Sequence, residues 1–140
     1  MNVPLKKNQK VKVKASHDLF KIMREVLLRE NKYRRRQEYF WVMGLTTGLR
    51  LEYIELVALG KVNSVTADPT DIFSIAIQKR CKKIVLVHNH PGGIAQPSKE
   101  DIRFTKEVLA ASKIVKIEIL EHLIITEEEY YSFVDENLLK

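Results

Sequence analysis

Residues 84–101 read Ile84-Val85-Leu86-Val87-His88-Asn89-His90-Pro91-Gly92-Gly93-Ile94-Ala95-Gln96-Pro97-Ser98-Lys99-Glu100-Asp101. The wholly apolar run Ile84 to Val87 has the pattern of a short strand buried on both faces. Pro91 to Pro97 reads as a loop, in which Gly92 and Gly93 allow a sharp return. Ser98 then opens a helix that turns Ile102, Thr105, Val108 and Leu109 inward. A buried strand feeding a helix through a short loop predicts an α/β layered domain.

The flanking sequence agrees with this. Upstream, Asp68 and Pro69 read as the cap and first residue of a helix with Ile72, Phe73, Ala76 and Ile77 inside, ending near Arg80. Before it, Glu38 to Leu45 and Leu51 to Leu59 read as two strands joined by a turn at Thr46-Thr47-Gly48. Ser16 is expected to cap a helix carrying Leu19, Ile22, Met23, Val26 and Leu27, which fades near Asn31. Downstream, Val115 to Ile125 alternates as a strand, and Glu127 to Leu139 is expected to be a short helix with Tyr130 and Phe133 inside. The hairpin makes the sheet mixed, and the Asp68 helix can cross over to the strand at Ile84. Residues 1–15 are expected to be a basic arm, with brief alternation at Val11 and Val13, and residues 16–140 a single domain.

The 140 residues suffice for one core. With 45% hydrophobic and 30% charged residues, disorder throughout is excluded. No apolar run approaches the roughly 20 residues that span a bilayer, and Met1 to Lys7, a basic cluster with no apolar stretch behind it, is not expected to be a secretory signal. Cys81 is the single cysteine, which excludes an internal disulfide and a cysteine zinc cluster, and a cytoplasmic, reducing location is expected. The net charge of +6 is uneven: residues 1–36 hold 12 Lys/Arg against 3 Asp/Glu, whereas residues 37–140 hold 12 against 15. Such a basic segment is either a solvated face or a contact for nucleic acid.

In an extended segment, residues two apart point the same way, so His88 and His90 present two imidazoles at the exit of a strand. Asp101, in the first helical turn, can bring an oxygen to the same point. Two His and one carboxylate leave a fourth position open for water, the donor set of catalytic zinc. Ser98-x-x-Asp101 also has the spacing of a helix capping box, and the two uses do not exclude each other. A zinc deaminase is set aside, because His90 stands where that motif needs Glu and the Cys pair is missing. The contiguous His-Asn-His string likewise differs from the nuclease motif of that name, whose residues lie far apart.

The pattern His88-x-His90-x7-Ser98-x2-Asp101 resembles the JAMM (MPN-plus) metalloprotease motif at every fixed position, and the surrounding sequence resembles its RadC-like branch. The similarity runs through Gln37-Glu38-Tyr39-Phe40, Gly60-Lys61-Val62-Asn63-Ser64, Asp68-Pro69, Val87 to Gly93, Pro97 to Asp101, His122 to Ile125 and Tyr130. It covers roughly residues 37–133. The resemblance implies a cytidine-deaminase-like α/β/α sandwich with a mixed central sheet, the JAB/MPN domain. It also implies one zinc per chain on His88, His90 and Asp101. In that scheme Glu38 takes the proton from the activated water, and Ser98 donates a hydrogen bond to the oxyanion as a peptide carbonyl is attacked. Glu52 and Glu55 are the other carboxylates near enough in sequence to compete with Glu38.

The chain departs from the branch at Gly92 and Ile94, where Ser and Asp are usual, at Glu121, where Asp is usual, and at Thr46 to Leu49. Many relatives carry an N-terminal helix-hairpin-helix segment, and none is expected within the 36 residues that precede the family-like stretch. The expected function is therefore a zinc-dependent hydrolase acting on a peptide or isopeptide-linked protein substrate. The alternative is a non-catalytic, DNA-repair-linked zinc module that binds nucleic acid through residues 1–36.

Overall fold

Ile84, Val85, Leu86 and Val87 are completely buried at the centre of a six-stranded sheet. The protein, seen as a computed structural model, is described over residues 1–62 and 66–139, so Asn63 and Ser64 of the family-like stretch lie outside the described residues. Its elements are β1 (Asn2–Val3), α1 (Ser16–Leu28), β2 (Tyr39–Leu45), β3 (Leu51–Leu59), α2 (Pro69–Gln78), β4 (Lys83–Asn89), α3 (Lys99–Val115), β5 (Glu118–Ile125) and β6 (Tyr130–Ser132). The strand order is β1-β3-β2-β4-β5-β6. Within it β4 runs antiparallel to β2 and parallel to β5, so the sheet is mixed.

Side chains alternate across each strand, so the sheet fills two cores. Trp41, Met43, Leu45, Val85 and Val87 point to α1, and pack on Leu19, Ile22, Met23, Val26 and Leu27. Phe40, Val42, Ile84 and Leu86 point to the other face, against Ile72, Phe73 and Ala76 of α2 and Phe104 and Val108 of α3. This is the expected α/β/α sandwich. Gly44 in β2 is required by close approach: a Cβ there would meet the Tyr53 ring at 1.9 Å.

The two parallel strands β4 and β5 slip by one residue between Ile84 and Val85, where Ile119 and Glu121 are the successive partners and Leu120 is extra. Such a bulge reverses side-chain parity beyond it. Ile119 faces α2 and α3, yet Leu123 and Ile125 face α1. His122, partner of Leu86, is thereby brought onto the same face as His88.

Several local expectations need correction. Ser16 lies inside α1, and the cap position falls on Ala15, where Asp18 Oδ2 accepts the Lys14 and Ala15 N–H groups. Ile77 is 56% exposed, because α2 ends one residue later and its face has rotated out. Val115 closes α3, and the following strand starts only at Glu118. Residues 127–139 are not helical. Thr126 Oγ1 accepts the Glu128 and Glu129 N–H groups and reverses the chain, and Tyr130–Ser132 pairs with β5. A strand edge offering unpaired backbone groups outweighs a short amphipathic pattern. The alternation at Val11 and Val13 yields a single bridge, Lys12 to Arg50. Among the described residues, no helix is long and apolar enough to cross a membrane.

Candidate metal centre

The end of β4 and the start of α3 converge where the sequence places its two imidazoles and carboxylate. His88 Nε2 lies 3.2 Å from His90 Nε2 and 3.4 Å from Asp101 Oδ1, and His90 Nε2 lies 3.2 Å from Asp101 Oδ2. Four ligands at zinc distances of about 2.0–2.1 Å stand about 3.3 Å apart at the corners of a tetrahedron. The two imidazole nitrogens stand at that spacing from each other, and each stands at it from a different oxygen of the Asp101 carboxylate, so the three side chains converge on one point.

Each donor is held from behind. His90 N–H donates to the Ile125 carbonyl at 2.9 Å, which extends the β4–β5 ladder past Asn89. His90 Nδ1 is 2.9 Å from the Ile94 carbonyl, so that nitrogen carries the proton and Nε2 is free to bind. Asp101 is fixed by the box that its spacing with Ser98 predicts: Ser98 Oγ accepts the Asp101 N–H at 3.0 Å, and Asp101 Oδ2 accepts the Ser98 N–H at 2.9 Å. Asp101 thus belongs both to the capping box and to the candidate ligand set. His88 is buried and its Nδ1 lies 2.9 Å from His122 Nε2.

The electrostatics call for a cation. Burial works to raise the Asp101 carboxyl, but the facing imidazoles of His88 and His90 and the Ser98 N–H hold it well below the usual carboxylate range. Burial lowers His90, yet the Asp101 carboxylate and the Ile94 carbonyl leave it raised above 6.5. A proton or a metal ion satisfies three converging lone pairs. Among the described residues, His88, His90 and Asp101 are the group arranged to hold a metal ion.

His90 and Asp101 line a cleft of about 560 Å³ whose walls also include Glu38, Lys61, Ile94 and Ser98, while His88 is buried. Glu38 Oε2 accepts the Val62 N–H at 3.1 Å. Of its competitors, Glu55 binds the Met1 amino group on the β1 side of the sheet, and Glu52 is exposed on β3. Asn89 and Thr105 have roles that the sequence reading assigned to neither. Asn89 is buried and bonds the backbone on both sides of Glu38, at Gln37 and Tyr39. Thr105 sits four residues after Asp101, and its hydroxyl bonds the Asp101 carbonyl. That i, i+4 spacing was the available signal.

The chain is similar to known proteins along most of its length. The family model described as RadC-like JAB domain matches residues 13–138. A UPF0758 protein of Alkaliphilus metalliredigens is 38% identical over 114 residues, 81% of this chain and 49% of its own length. A UPF0758 protein of Chlorobium chlorochromatii is 35% identical over 133 residues, 95% of this chain and 58% of its own. UPF0758 protein CT0611 of Chlorobaculum tepidum is 33% identical over the same extent. The chain spans about half the length of the curated relatives it matches.

Proposed function

The chain belongs to the RadC-like JAB domain family, and on that premise we propose that it is a zinc-dependent hydrolase of peptide or isopeptide bonds. The observation that carries this reading is the convergence of His88, His90 and the Asp101 carboxylate, with contacts of 3.2–3.4 Å, at an open cleft lined by His90, Asp101, Glu38 and Ser98. A closed structural site has no use for the last two.

His88, His90 and Asp101 would hold the ion. When bound, zinc supplies Lewis acidity and a nucleophile at neutral pH. Glu38, tethered by Val62, accepts the proton from the attacking water and passes it to the leaving nitrogen. The Ser98 hydroxyl, whose lone pair takes the Asp101 N–H, keeps its own proton for the developing oxyanion.

The rival reading, a nucleic-acid-binding module without catalysis, draws on the basic residues 1–36. The distribution of charge supports it weakly. β1 is three strands from β4, roughly 14 Å at the usual spacing. At the cleft Lys61 pairs with Glu100, and in a separate pocket that His90 also lines, Arg35 pairs with Glu127. Mixed charge of this kind suits a polypeptide better than a polyanion.

The test is metal analysis of protein purified without added zinc, followed by a panel of peptide, isopeptide-linked and C-terminal-tail conjugates. About one zinc per chain, lost in His88→Ala, with metal-dependent cleavage, is the expected result. A fully loaded protein that cleaves nothing would remove the hydrolase reading.

A further inference from the structure

A line of hydrogen bonds runs behind His88, and its direction can be read from its far end. It starts at the backbone carbonyl of Asp101, which can only accept. Thr105 Oγ1 lies 2.8 Å from that oxygen, so the single hydroxyl proton is committed to it. The same Oγ1 lies 2.7 Å from His122 Nδ1 and has only a lone pair left to offer. His122 Nδ1 therefore carries the proton. His122 is fully buried, stacked on Phe133 at 4.4 Å and met edge-on by Phe40, surroundings that keep an imidazole neutral. Its Nε2 is then bare, and His88 Nδ1, 2.9 Å away, must be the donor.

We propose that Thr105 and His122 are positioning residues that hold His88 in its Nδ1–H tautomer, leaving Nε2 as the metal-binding atom. The opposite order would turn the Thr105 proton toward His122 and leave two oxygen lone pairs facing each other at 2.8 Å. A metal-binding imidazole is commonly backed by a carboxylate or a carbonyl. Here the backing is a neutral histidine, so no second negative charge reaches the site. The line also begins on the main chain of Asp101, so the helix turn that presents one ligand orients another.

This inference rests on the metal-site reading above, and its test separates the two. Nitrogen-15 NMR of the imidazoles in the whole chain, metal-free and after zinc addition, reports the tautomer of His88 without any substitution. A proton on Nδ1 in both states is the expected result, and a proton on Nε2 in the metal-free chain overturns the proposal. Zinc affinity is then measured by chelator competition on variants whose folding is checked by circular dichroism. Thr105→Val should bind zinc about 10–100-fold more weakly, and Thr105→Ser, which restores the hydroxyl, should return to within a few-fold of wild type. A Thr105→Val protein that melts earlier but keeps wild-type zinc affinity and the Nδ1 proton on His88 would reduce Thr105 to packing and overturn the proposal. A wild-type chain that takes up no zinc would sink the metal reading, while the His88 tautomer would still decide the proton order.

Discussion

Asn89 Oδ1 accepts the backbone N–H of Tyr39 at 2.6 Å, while its Nδ2 donates to the Gln37 carbonyl at 2.9 Å. One buried amide between two site histidines thus grips the chain on either side of Glu38. Asn89→Asp keeps the acceptor but sets a buried carboxylate against the Gln37 carbonyl. A cost of about 1–3 kcal/mol is expected in urea unfolding, with zinc content retained and turnover reduced. Wild-type stability and rate in this variant would show that the grip is idle.

Glu38→Gln and Ser98→Ala should separate chemistry from metal holding. Both should keep their zinc, because neither side chain is a ligand. Each should lose roughly 10²–10³ of the rate. Ser98→Ala should also lose about 1 kcal/mol of stability with its helix cap, so rates belong well below the melting temperature. A Glu38→Gln protein as fast as wild type would assign the base elsewhere.

The metal-free chain should show a stability window set by the triad. His90 is raised in the folded state, so its contribution is complete below the unfolded value of 6.5 and is lost as pH rises through the higher folded value. Asp101 is lowered, so its contribution holds above 3.8 and is lost as pH falls through the lower folded value. Melting temperature without metal should therefore decline from pH 6 to pH 8. With zinc in the proton's place it should rise over that interval, since metal and proton compete for the imidazoles. Parallel profiles with and without zinc would contradict a shared site.

Glu121 is a buried carboxylate that accepts four hydrogen bonds: Ser16 Oγ at 2.5 Å, Ser132 Oγ at 2.6 Å, His122 N at 2.9 Å and Val134 N at 3.1 Å. It ties α1, β5 and the chain beyond β6 together. Glu121→Gln keeps an oxygen for the His122 and Val134 N–H groups and turns its amide NH2 to the two serine hydroxyls, losing the charge that strengthens these bonds, at about 1.5–3 kcal/mol. Thermal unfolding should show the loss while zinc stoichiometry stays at wild type. A change in stoichiometry at equal fold would mean that Glu121 also sets His122.

If residues 1–36 bind nucleic acid through charge, affinity should fall steeply with salt and show little sequence preference. Removing the charge of Lys6, Lys7, Lys10, Lys12 and Lys14 by substitution with Gln should weaken binding and leave zinc in place. Binding indifferent to both salt and these substitutions would mark the segment as solvated surface.

Features that depend on a few adjacent residues were readable without coordinates. The central strand at Ile84, the Asp68 and Ser98 caps and the hairpin all follow from local sterics and spacing. The shared direction of His88 and His90 follows from the period of an extended chain, and Asp101 from its place one turn into α3. The tail failed for the complementary reason. The spacing of Tyr130 and Phe133 suits a helix, but only the assembled sheet reveals the free edge of β5 that recruits them instead.

The sequence by itself determined the layered α/β class and the approach of His88, His90 and Asp101, because each is written in spacing that a regular backbone converts directly into direction. Glu38, by contrast, was singled out from Glu52 and Glu55 only by resemblance to the family. Only the tertiary structure decided what stands behind them. Ser16 meets Glu121 across 105 positions, Asn89 meets Gln37 across 52, and Thr105 meets His122 across 17. The extra residue at Leu120 turns His122 toward His88, and Glu121, one position earlier, toward Ser16. A one-residue slip inverts which face every later side chain takes. That slip depends on how two strands pair, which neither strand's own sequence specifies.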